Sequence, residues 1–254
     1  MPEKAFAQLV HIMKRLRREC PWDREQTPQS LRQYILEEAF ETVEAIDNED
    51  WQELKKELGD LLLQVVFQAE IAEETGQFSL AEVIQHINQK LIQRHPHVFG
   101  KVKAETAQQV KENWEEIKFR TEKRRSYLDG IPRQMCALLR AQRVQEKAAK
   151  VGFDWPDASG VLEKIEEEIQ ELKASLKSGA PEAMEEELGD LLFSLVNLSR
   201  FYDINAEDAL RKTTNKFMAR FQYIEQKLAE QKRSVQEATL EEMDRLWEEA
   251  KRNS

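Results

Sequence analysis

Glu57-Leu58-Gly59-Asp60-Leu61-Leu62 recurs, residue for residue, as Glu187-Leu188-Gly189-Asp190-Leu191-Leu192. Upstream of the first copy lies Leu36-Glu37-Glu38-Ala39-Phe40-Glu41, and upstream of the second Ile165-Glu166-Glu167-Glu168-Ile169-Gln170-Glu171, so Glu38/Glu41 and Glu168/Glu171 occupy matching places. Downstream, Lys90 and Arg94 match Lys216 and Arg220, and Trp114-Glu115-Glu116 matches Trp247-Glu248-Glu249. Four matched features in one order are hard to attribute to chance similarity between acidic helices. Two copies fit the duplication of a domain better than a solenoid, which needs more repeats.

The composition sets the fold class around this repeat. Only 8 Gly and 7 Pro interrupt 254 residues, and 34% of the chain is charged. Strong helix formers fill the long stretches between them, so an all-α protein is expected, with tandem helical domains at residues 1–127 and 128–254. The boundary falls at Asp129-Gly130-Ile131-Pro132, which breaks the helical pattern on both sides. Val151-Gly152-Phe153-Asp154-Trp155-Pro156 is a second interruption, after a helix over about 132–150. In the second half, helices are expected at 158–177, 182–202, 206–231 and 240–251. Ser178-Gly179-Ala180-Pro181 should end the first and start the second, with Gly just past one helix and Pro just inside the next. The apolar run Leu191 to Leu198 should be deeply buried. In the first half, helices are expected near 28–47, 50–75, 79–95 and 104–125.

Charge and cysteine content exclude several classes. A net charge of −10 argues against nucleic acid as the partner. Two cysteines, Cys20 and Cys136, form neither a disulfide framework nor a metal-binding pair, so a cytoplasmic protein is expected. The N-terminus is charged too often for a secretory signal, and no apolar run is long enough to span a membrane.

The spacing of the carboxylates carries the chemistry. Residues three apart share a helix face, so Glu168/Glu171 and Glu187/Asp190 each point one way. A short connection makes their helices antiparallel neighbours, and the two pairs can face each other across the turn. Gly189 could let the helices approach closely. Four carboxylates converging beside an apolar segment would repel one another and lose hydration, so a cation is expected. Oxygen ligands without Cys or His favour Mg2+, Mn2+ or Ca2+ over zinc, and Mg2+ shares its coordination with substrate phosphates. Such a cation polarises phosphoryl oxygens and activates water. A single Glu-x-x-Glu is ordinarily a solvated face, as expected of Glu166, Glu185 and Glu186. Two pairs on adjacent helices, duplicated along the chain, point to a site. Lys216 and Arg220 are four apart and can reach phosphate oxygens together. Lys164 lies one turn before Glu168. Trp247 is equally suited to stacking on a nucleoside or to anchoring its helix.

These residues resemble the MazG family of all-α nucleoside triphosphate pyrophosphohydrolases, whose pattern is Glu-Glu-x-x-Glu, a spacer, then Glu-x-x-Asp. It is met at Glu37-Glu38-x-x-Glu41 with Glu57-x-x-Asp60, and at Glu167-Glu168-x-x-Glu171 with Glu187-x-x-Asp190. Arg94-His95-Pro96-His97-Val98-Phe99-Gly100, Leu128-Asp129-Gly130-Ile131-Pro132 and Val151-Gly152-Phe153-Asp154-Trp155 also look like the two-domain bacterial members. The resemblance implies hydrolysis of an NTP or dNTP, with broad specificity, to a nucleoside monophosphate and pyrophosphate. It implies Mg2+ held by Glu168, Glu171, Glu187 and Asp190. Lys164, Lys216 and Arg220 would neutralise phosphate charge, Trp247 would contact the nucleoside, and Glu167 or Glu168 would assist proton removal from the attacking water. It also implies a homodimer whose facing subunits complete a four-helix-bundle-like core. Glu38, Glu41, Glu57, Asp60, Lys90, Arg94 and Trp114 would form a second site. Tyr34 stands there in the place of Lys164, so the second domain is expected to carry the main activity.

Two other classes compete. A di-metal carboxylate bundle needs Glu-x-x-His on two helices, and none of His11, His86, His95 or His97 follows a Glu at that spacing. A non-catalytic acidic adaptor, or a hydrolase restricted to one nucleotide such as dUTP or dCTP, would be separated by assaying magnesium-dependent pyrophosphate release.

Overall fold

The computed structural model describes residues 1–100, 106, 109–110, 117 and 125–253, and the described secondary structure is entirely helical. The chain forms two compact units, Met1–Glu122 and Lys123–Ser254. In the first, α1 (Pro2–Glu19) and the short α2 (Pro21–Glu25) precede a hairpin of α3 (Arg32–Asp47) and α4 (Trp51–Glu74), then α5 (Leu80–Arg94) and the short α6 (Pro96–Phe99). In the second, α7 (Ala137–Ala149) precedes a hairpin of α8 (Ala158–Ser178) and α9 (Pro181–Phe201), followed by α10 (Ala206–Glu230), a 3-10 turn (Val235–Glu237) and α11 (Leu240–Arg252). The helix expected over 104–125 lies largely outside the described residues, and so does Trp114.

Capping accounts for most of the boundaries. Asp50 accepts from the amides of Gln52 and Glu53 at the start of α4, Asp157 from Ser159 at the start of α8, and Asn205 from Asp208 at the start of α10. Ser79 and Thr239 form capping boxes with Glu82 and Glu242. Gly179 closes α8 with φ 69°, a conformation that costs glycine nothing, and Pro181 opens α9 two residues later. The tight turn makes α8 and α9 antiparallel neighbours, as α3 and α4 are.

No helix is expected over residues 2–19, yet α1 forms there and precedes the first hairpin as α7 precedes the second. Its Phe6, Leu9, Val10 and Met13 recur at helical spacing and supply one wall of the first unit's core, where Met13 and Leu31 pack with Val66, Phe67 and Ile71. Arg17 crosses from α1 to α4, where its guanidinium donates to both oxygens of Glu74.

Two expectations are corrected. Leu191 to Leu198 is not deeply buried within the chain: Val196 is buried, but Leu192, Phe193 and Leu195 are each about 45% exposed. A two-helix hairpin has one inner face, so an apolar run that wraps a helix leaves part of itself outside. No helix of the described residues comes close at Gly189, where an added Cβ would meet open space, as it would at Gly59.

Candidate active site

Each hairpin gathers three carboxylates. Oxygens of Glu168, Glu171 and Glu187 lie within 4.8 Å of one another across α8 and α9, and those of Glu38, Glu41 and Glu57 do the same across α3 and α4. Glu168 is 3% exposed, and its Oε2 is buried with no hydrogen-bond partner among the described residues; Glu57 Oε2 is in the same condition. Burial and the neighbouring Glu171, Glu168 and Asp190 hold the Glu187 carboxyl above the usual range. Burial, followed by Glu53 and Glu41, pushes Glu57 up to about 7. Burial and Asp60 raise Glu38. Both clusters therefore hold more negative charge than their surroundings solvate.

Asp60 and Asp190 stand outside the tight triplets. Asp190 is exposed and lies on the lip of a cavity it shares with Lys164 and Glu168. Lys164 places its Nζ 2.6 Å from Glu168 Oε1 and 2.9 Å from Glu167 Oε1, and these bonds raise its pKa. Glu166, Glu185 and Glu186 are exposed, as a solvated face requires.

Lys216, Arg220 and Trp247 do not line that cavity. Lys216 is exposed. Arg220 lies over the Trp247 ring at 5.6 Å, and Phe217 packs against the same ring at 5.1 Å, so Trp247 fastens α11 to α10. In the first unit Lys90 is half-buried and Arg94 buried on α5.

The MazG nucleotide pyrophosphohydrolase domain matches residues 26–99 and again 158–224, the two hairpins with their following helices. The chain is 48% identical over 250 residues to the nucleoside triphosphate pyrophosphohydrolase/pyrophosphatase MazG of Thermotoga maritima, covering 97% of this chain and 95% of that protein. It is 43% identical to the nucleoside triphosphate pyrophosphohydrolase of Escherichia coli K12, covering 96% of each. An uncharacterised Bacillus subtilis protein, YabN, is 46% identical over 97% of this chain but 51% of its own length. The chain belongs to the MazG family.

The two MazG domains differ beside their carboxylates. The second encloses a cavity of about 740 Å3 between α7, α8, α9 and the 150–157 loop, with Val161, Lys164, Phe193, Ser194 and Asn197 among its walls. At the spacing that relates Glu38 to Glu168, the first MazG domain carries Leu31, Tyr34, Leu63, Gln64 and Phe67 instead. Leu31 and Phe67 belong to its buried core, with Tyr34 and Leu63 packed against it. A phenylalanine therefore fills in the first domain the place where the second has the smaller Asn197. The comparison of Tyr34 with Lys164 does not reveal this exchange of volume; the signal for it is the repeat's register continued three to seven residues past Asp60 and Asp190.

Proposed function

We propose that the second MazG domain, residues 128–254, is a Mg2+-dependent nucleoside triphosphate pyrophosphohydrolase of broad specificity, acting on NTPs and dNTPs, and that it carries the main activity. The observation behind this reading is the juxtaposition of three carboxylates within 4.8 Å of one another, one oxygen of Glu168 buried and unpartnered, with a cationic Lys164 beside it at the edge of an open cavity.

The donor set suits the cation. Glu168, Glu171 and Glu187 offer hard oxygens with no sulfur or imidazole among them, and Asp190 on the next turn of α9 is the fourth candidate ligand. Mn2+ has the same preferences. When bound, the cation supplies charge at the phosphoryl oxygens and acidity to water. The residues do the rest. Glu168, Glu171, Glu187 and Asp190 would hold the cation, which would supply positive charge to the triphosphate. Lys164, already poised at Glu168, takes up phosphate charge. Glu167, exposed and accepting a hydrogen bond from Lys164, or the buried Glu168 is the candidate to accept the proton lost by water as the α–β phosphoanhydride breaks and pyrophosphate leaves. Lys216 and Arg220 are further candidates for phosphate contact. Trp247, half-buried against Phe217 and Arg220, holds α11 and remains a candidate for contact with the nucleoside.

The exposed apolar side chains of the hairpins, Leu36 and Phe40 on α3 and Leu188 and Leu192 on α9, are assigned to a homodimer interface, which leaves fewer large apolar groups in water. Among the described residues no helix is long and apolar enough to cross a membrane.

Pyrophosphate release measured on the full chain with every common NTP and dNTP, with and without Mg2+, tests the proposal. Release from several nucleotides that requires the cation supports it. Release from dUTP or dCTP alone would narrow the enzyme to one substrate, and no release from any would favour an acidic adaptor.

A further inference from the structure

We propose that Gln145 binds the nucleobase of the substrate. The inference rests on the hydrolase reading, which places the triphosphate at Lys164, Glu168 and Asp190. Those three residues line the 740 Å3 cavity, together with the aromatic Phe153, Trp155 and Phe193 and the Asp154–Arg200 ion pair. The volume is in the range of small-molecule sites, and one cavity that is charged at one place and aromatic at another matches a nucleotide.

Gln145 projects from α7 and is only 7% exposed, yet it lines this cavity. Its Nε2 donates to the Phe193 carbonyl at 2.8 Å. A carbonyl oxygen can only accept, so this bond fixes which end of the amide faces α9 and leaves Oε1 as the other. That oxygen is buried and has no hydrogen-bond partner among the described residues. A buried acceptor left unpaired is costly, and an N–H from a ligand removes the cost. Gln145 is thus a lining residue that holds a buried, unpaired acceptor, in a cavity whose aromatic side chains are partly free: Phe153 is 82% exposed and Trp155 46%. Trp155 seats against the first turn of α8 because residue 160 is glycine; a Cβ there would lie 2.5 Å from the Trp155 ring.

Aromatic cover with a hydrogen bond to the base edge is a general way to read an unstacked base. Each common base carries an N–H on its pairing edge: an amino group in adenine and cytosine, a ring N–H in guanine, uracil and thymine. A single acceptor admits all of them. It rejects an edge that has acceptors only, such as that of unsubstituted purine. Broad acceptance of natural bases and discrimination against this one follow from the same oxygen.

Calorimetric binding of two uncleavable ligands in Mg2+ tests the inference: α,β-methylene ATP and the α,β-methylene triphosphate of purine riboside. The wild-type full chain should bind the adenine ligand about tenfold tighter. Gln145→Met should bring the two affinities together by weakening only the adenine ligand. Equal affinities in the wild type, an unchanged ratio in Gln145→Met, or equal weakening of both ligands would overturn it, the last by showing that Gln145 merely braces α7 against α9. The wild-type ratio needs no variant, so a misfolded substitution leaves the test intact. Inorganic tripolyphosphate separates the two levels. Its binding with Mg2+ and no base preference sinks this inference alone, whereas failure of tripolyphosphate to bind would sink the hydrolase reading beneath it as well.

Discussion

The Lys164 ammonium sits 2.6 Å from Glu168 Oε1, inside the acidic cluster of the second hairpin. Glu168 is almost fully buried while Lys164 is partly open to solvent, so the lysine covers a carboxylate that water does not reach. It also competes with any divalent cation for the same charge. Removing it should therefore separate two properties. Lys164→Met should lower pyrophosphate release on the order of 100-fold, the scale seen when one charge-stabilising donor is lost. In the absence of nucleotide, calorimetry should show Mn2+ binding at least as tightly as in the wild type. A variant that loses cation binding along with activity would show that Lys164 shapes the cluster rather than balancing its charge.

The two clusters are alike in their carboxylates and unlike in their surroundings, so equivalent substitutions should have unequal effects. Glu168→Gln should reduce nucleotide hydrolysis by about 100-fold or more, because the substitution takes a charged oxygen from the proposed ligand set. Glu38→Gln should leave hydrolysis within about twofold of the wild type. Steady-state pyrophosphate release from both variants decides the matter, and loss of activity in Glu38→Gln alone would reverse the assignment of the catalytic domain.

Phe67 is 3% exposed, and Arg17 lies over its ring at 5.7 Å. If the first domain is stabilised by filling the space that the second leaves open, Phe67→Ala should cost about 3–5 kcal/mol of that domain's stability. Denaturant unfolding should then show the first unit melting ahead of the second. A cost under about 1 kcal/mol would mean that the ring's place collapses or is hydrated readily.

Glu242 caps α11 from its third position and accepts two hydrogen bonds from Arg233, at 2.7 and 2.9 Å. Arg233, with the Thr239 amide, holds its carboxyl down at about 2. A depressed carboxylate stabilises the fold above its unfolded pKa, and that contribution is lost as pH falls through the folded one. Glu242→Gln should therefore melt below the wild type at pH 7. The difference should shrink between about pH 4.5 and 2, where the wild-type carboxylate itself becomes protonated. Thermal melts by circular dichroism across that range test the sign, and a difference that grew toward low pH would contradict it.

The hairpins are legible in the sequence because their signals are local. Gly179 and Pro181 mark one turn by backbone conformation alone. Glu168 and Glu171 share a face because helical geometry allows nothing else. The pattern of α1 is equally local, through Phe6, Leu9, Val10 and Met13, and α1 precedes the first hairpin as α7 precedes the second, but the matched acidic motifs begin only at Leu36 and Ile165 and do not point it out. Burial is less legible. The apolar run after Asp190 reads as core from every side, and only packing reveals that α8 covers one face while Leu192 and Leu195 stay open.

The sequence by itself determined the helical class, the duplication and the opposition of two acidic helix faces, since periodicity and a short turn suffice for that, although it expected four carboxylates to converge where three do. Only the tertiary structure decided that Asp190 stands apart from its three partners, that Arg220 turns to Trp247, and that Gln145 lines a cavity while keeping one buried oxygen unpaired. Those outcomes depend on side chains brought together from distant helices, where the volume left between them, set by residues such as Asn197 or Phe67, has no signature in the spacing of any one helix.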